Sequence, residues 1–114
     1  MMERVYQITI TVKEYYEGEL DTIRIWDGRD PAGLEDDLPF LKPYRRVVYK
    51  DWHDAAKAMD EIVKGIEDEL RSAEEEEPIE LISTIPTSDG IDINVQLGCE
   101  DITLSVCVES LKVL

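Results

Sequence analysis

A chain of 114 residues with 27 acids against 12 cations, net −15, is the length of one domain (residues 1–114), able to bury about 65% of its unfolded surface around one core. Its 43% hydrophobic content sets it apart from acidic disordered chains. The charge is uneven, because residues 51–114 hold 17 acids and 4 cations and so carry −13 of the total. Such a field repels nucleic acid and anionic membranes and speeds encounter with basic proteins, so neither direct nucleic-acid binding nor membrane binding is expected.

Met1-Met2-Glu3-Arg4 leads straight into a strand pattern, and no signal peptide is expected. Over Val5–Lys13, Tyr6, Ile8, Ile10 and Val12 alternate with Gln7, Thr9, Thr11 and Lys13, the period of a half-buried strand. A turn at Glu17-Gly18 predicts a hairpin to a second strand, Leu20–Trp26, with Ile23 and Ile25 inward. Asp27–Pro43, broken by Gly28, Pro31, Gly33, Pro39 and Pro43, reads as a long loop of the functional or mobile kind. Arg45–Lys50 predicts a third, short strand.

The strongest pattern is helical. Trp52, Ala55, Ala56, Met59, Ile62, Val63, Ile66, Leu70 and Ala73 fall three and four residues apart along one stripe. Asp51 is placed to cap the helix and Asp54 to charge its first turn, while Pro78 forbids continuation. Three further strands follow: Ile79–Ile85, a turn over Pro86–Gly90, then the alternating stretches beginning at Ile91 and Ile102, with a turn at Gly98–Asp101 between them. The order β-β-(β)-α-β-β-β predicts an α+β fold in two layers, an antiparallel sheet of five or six strands with one long amphipathic helix on one face.

Catalytic and metal motifs are sparse. His53 is the single histidine, which removes HExxH and any two-histidine metal site. Cys99 and Cys107 form neither a CxxC pair nor a disulfide framework, and a cytoplasmic chain with reduced thiols is expected. The turns Asp27-Gly28 and Ser88-Asp89-Gly90 lack the ligand order of a calcium loop, and no glycine-rich phosphate cradle occurs. No enzyme activity, cofactor or metal is expected.

Charge is the remaining signal. Asp54, Lys57, Glu61, Lys64 and Asp68 alternate in sign along the outer face of the helix and largely neutralise one another. Beyond them, Glu67, Asp68, Glu69, Glu74, Glu75, Glu76 and Glu77 face one cation, Arg71. Acids at a helix C-terminus cost roughly 0.3–1 kcal/mol each at low salt, so this run does not serve the helix. It is either a solvated helix end or an anionic surface for a basic partner, which Glu80, Glu100 and Asp101 extend if the fold brings them near. A second cluster, Lys42-Pro43-Tyr44-Arg45-Arg46 with Lys50, lies beside Glu35, Asp36 and Asp37 and is expected to pair with acids elsewhere in the fold, the alternative being a contact for an acidic partner or a second copy of the chain. Tyr15, Tyr16, Trp26 and Phe40 belong at the edge of the core or, where exposed, at an interaction hot spot.

Two functions fit this pattern. One is a small acidic protein-binding module that blocks a basic, nucleic-acid-binding partner by charge mimicry, in the manner of phage anti-defence or toxin-neutralising proteins. Carboxylates about one helical turn apart, about 5.4 Å, roughly imitate a row of phosphates. The other is a structural or assembly subunit that forms a homo-oligomer through its sheet, with the acidity serving solubility.

Overall fold

The computed structural model describes residues 3–27, 33–44, 47–73, 81–87, 90–97 and 99–113. Its strands are β1 (Glu3–Tyr16), β2 (Glu19–Trp26), β3 (Leu81–Pro86), β4 (Gly90–Leu97) and β5 (Glu100–Val113); its helices are α1 (Leu34–Asp37) and α2 (Trp52–Ala73). All strand pairs are antiparallel, in the order β2-β1-β5-β4-β3. The fold is α+β in two layers, as the sequence pattern predicts. β1 and β5 pair without interruption from Glu3↔Val113 to Tyr16↔Glu100. A 14-residue strand spans about 46 Å, which accounts for the 51 Å long axis of the molecule.

One face of the sheet meets α2. Ile8, Ile10 and Val12 from β1, Leu104 and Val106 from β5, and Ile93 and Val95 from β4 are buried against Ala58, Met59, Ile62, Val63 and Ile66. Each fully buried aliphatic side chain contributes roughly 1.5–3 kcal/mol. Asp51 caps the helix, its Oδ1 accepting the His53 N–H at 2.9 Å. Gly65 leaves room for Phe40, whose ring lies 2.8 Å from where a Cβ would stand. Among the described residues no helix is long and apolar enough to cross a membrane.

Four expectations need correction. Ile23 and Ile25 do not point inward; they lie opposite Lys13 and Thr11 on the open face of the sheet and are half-exposed. The cause is a β-bulge. Glu17 and Gly18, at φ 51 and 85, make the tight two-residue turn that hairpins favour, and a regular ladder from Tyr16↔Glu19 would set Ile23 against Val12. Instead Tyr15 pairs Leu20 and Glu14 pairs Thr22, leaving Asp21 as the extra residue. One inserted residue moves every side chain after it to the other face, so Trp26 and not Ile25 reaches the core.

The third strand is absent over the described part of Arg45–Lys50, where Tyr49 makes a single bridge to Tyr6. The Asp27–Pro43 stretch is not all loop. α1 and a 3-10 helix, Pro39–Tyr44, send Leu34 and Leu41 into the core, so the segment acts as core packing that β2 alone does not supply. Trp52, read as part of the buried stripe, is half-exposed at the first helical position and packs edge-on against His53.

Candidate interaction surface

Glu67 is not an outward, uncompensated acid. Its carboxylate accepts the Thr84 hydroxyl of β3 at 3.2 Å and lies 3.9 Å from Arg71. The side chain therefore ties α2 to the edge of the sheet. Asp68 and Glu69 are exposed beside it, and Glu74–Glu77 and Glu80 lie outside the described residues. Asp54, Lys57, Glu61 and Lys64 are exposed along the helix. Glu61 accepts the Tyr44 hydroxyl at 2.8 Å.

The acids that the fold does gather come from the sheet. The β1–β2 and β4–β5 turns fall at the same end, joined by the Glu17 N–H donating to the Cys99 carbonyl at 3.1 Å. Register sets Glu19, Tyr16 and Glu100 side by side in one row across three strands. Adjacent strands lie about 4.8 Å apart, so the backbones that carry the two glutamates stand about 9.6 Å apart with that of the tyrosine between them. Tyr16 is 52% exposed. Glu17 and Asp101, both exposed, complete an acidic pole at this end. Glu100 and Asp101 belong to the first residues of β5 rather than to the turn.

The helix leads to the same end. α2 starts near the Tyr6–Tyr49 bridge, and Leu70 near its end packs over a cleft of ≈ 400 Å³ lined by Val12, Glu14, Arg24, Leu34, Leu38, Ile102 and Leu104. Asp68 and Glu69 thus lie close to the level at which β5 leaves Asp101. The cleft is mostly apolar, and its charged members are joined: Arg24 lies 3.3 Å from Glu14, which also accepts the Thr22 hydroxyl at 2.8 Å.

Glu35, named from sequence only as an acid beside the basic cluster, is buried at 1% exposure and accepts the Trp26 indole N–H at 3.2 Å. Of that cluster, Lys42 and Lys50 are exposed, and Arg45 and Arg46 lie outside the described residues. The Tyr44 phenol is pushed up to about 12 by its burial and then by the hydrogen bond and charge of Glu61. Tyr49 is also raised, by burial first and then by the charges of Glu61 and Asp54. Among the described residues no three His, Cys, Asp or Glu side chains converge to hold a metal ion. Cys99 is exposed at its turn and Cys107 half-buried on the open sheet face, opposite Thr9.

Sequence reading centred the anionic surface on the helix end, named Glu100 and Asp101 as its extension if the fold brought them near, and missed Glu17 and Glu19. The signal lay in Glu17 at its turn and in Glu19, Glu100 and Asp101 at strand starts, whose proximity depends on β1 and β5 being neighbours. No protein-family model, curated protein or solved structure matches this chain.

Proposed function

We propose that the chain is a non-enzymatic protein-binding module whose acidic pole docks on a basic partner and occupies a groove that otherwise holds nucleic acid. The observation that carries this reading is the row Glu19–Tyr16–Glu100, an exposed tyrosine flanked by two carboxylates. Aromatic side chains at interface centres supply most of the binding energy, and surrounding charges set encounter rate and partner choice. Glu17 lies in the turn beside the row, Asp101 next to Glu100 on the other face of the sheet, and Asp68 and Glu69 are the exposed acids that the helix adds. Glu67 is engaged with Thr84 and stands outside the contact.

The test is capture of partners from a lysate of the source cells by the native chain and by a Glu19→Gln/Glu100→Gln variant, washed at rising salt. A basic protein held by the native chain, released steeply by salt and lost from the variant supports the reading. Equal retention by both chains contradicts it. Glu67→Gln is the control, expected to bind as the native chain does.

A further inference from the structure

The geometry points to a second surface, and we propose that β2 pairs antiparallel with β2 of a second copy, forming a two-fold dimer with one continuous sheet. This goes beyond the acidic-pole reading and does not depend on it. Tyr6 and Tyr49 exchange both backbone hydrogen bonds, at 2.8 and 2.7 Å, on the side of β1 away from β5. β1 runs against β5 without a register shift, so Ile10, Val12 and Glu14 turn their backbone groups to that same side, toward Trp26, Arg24 and Thr22. Ile23 and Ile25 fall between these pairs. Their N–H and C=O groups therefore point away from β1, along the outer edge where β2 is the last strand of the sheet.

The same two residues expose their side chains, 50% for Ile23 and 52% for Ile25, with Leu20 half-exposed further along β2. Proteins usually blunt such an edge with proline, inward charge or short length. The opposite edge is treated so: β3 has six residues, ends on Pro86, and receives Glu67 at Thr84. β2 has eight residues and no proline.

Charge selects a second copy as the occupant. Residues 1–50 hold 10 acids and 8 cations, so β2 belongs to the near-neutral part of the chain. Antiparallel pairing sends the two acidic poles to opposite ends of a ten-stranded sheet, where repulsion is least. It also joins Ile23 and Ile25 of both copies in one aliphatic patch on the open face, the cross-strand contact that stabilises sheets. A self-complementary contact of this kind closes as a dimer and does not propagate.

Sedimentation of the native chain from micromolar to submillimolar concentration, with amide exchange on the same samples, tests the proposal. The expected mass rises to twice 13.1 kDa. The Ile23 and Ile25 amides are then protected in the dimer and lose protection on dilution, while Thr22 and Arg24 stay protected throughout. Ile23→Pro removes an outward N–H and leaves the β1 ladder intact; the expected product is a monomer with unchanged circular dichroism. Ile23→Lys/Ile25→Lys, which adds like charge across the seam, gives the same result if the proline disturbs β2. A chain that stays at 13.1 kDa over the whole range overturns the proposal. So does a dimer whose Ile23 and Ile25 amides exchange freely, or one that survives both variants. Pairing of β2 with another protein's strand would show as a native monomer and likewise overturns it.

Discussion

Tyr44 carries the clearest electrostatic signature of any single side chain. Its phenol is partly buried and donates to Glu61, so ionising it means placing two negative charges in contact. With the folded value about 12 against an ordinary 10.0, the folded state keeps a proton that the unfolded chain releases. Its contribution to stability is complete below pH 10 and is lost as the pH rises through about 12. Absorbance titration of the five tyrosines should show Tyr44 ionising late, with Tyr49 also delayed, and Glu61→Gln should bring the Tyr44 component earlier without restoring 10, because burial is the larger cause. Loss of the late component in native protein only on unfolding agrees with this; no change in Glu61→Gln contradicts the pairing. Trp26 is the matching case in the core. Trp26→Phe takes the indole donor from buried Glu35, and a destabilisation of about 1–3 kcal/mol is expected by urea denaturation.

At the scale of elements, the bulge at Asp21 decides which face of β2 is buried. Deleting Asp21 removes the extra residue and leaves Thr22 opposite Glu14, Ile23 opposite Lys13 and Trp26 opposite Ile10, so the same face of β2 stays buried. The expected result is a folded chain with unchanged tryptophan emission. A red-shifted emission would show that the strand had changed register instead. β4 is fixed as tightly at its start, where a Cβ on Gly90 would run into the Val106 carbonyl and stand 2.8 Å from the Cys107 Cα. Gly90→Ala should therefore cost roughly 1–3 kcal/mol or more. The strand periods of β1, β4 and β5 and the helix stripe were legible in the sequence because two- and 3.6-residue repeats mark a buried face directly. The face of β2 was not legible. Ile23, Ile25 and Arg24, Trp26 alternate with equal regularity, and only the pairing to β1 breaks the tie. α1 and the 3-10 helix were hidden by their glycines and prolines, which mark turns but leave open whether Leu34 and Leu41 reach the core. The engagement of Glu67 was likewise out of reach, since Thr84 lies 17 residues away.

For the whole molecule, the long β1–β5 pair separates two kinds of surface over a 51 Å axis. One end gathers Glu17, Glu19, Glu100 and Asp101 around Tyr16, and one edge presents Ile23 and Ile25 with outward backbone groups. Composition alone announced the acidity, and topology converts part of it into a local patch at one end. That placement makes the account testable as displacement. A lysate of the source cells is bound to a DNA resin and eluted with the native chain, then with the Glu19→Gln/Glu100→Gln variant at the same concentration. The account predicts a basic protein released by the native chain, retained against the variant, and released less as salt rises. Equal release by both chains, or release of nothing by the native chain, would contradict the claim that the acidic pole competes with nucleic acid for a basic partner.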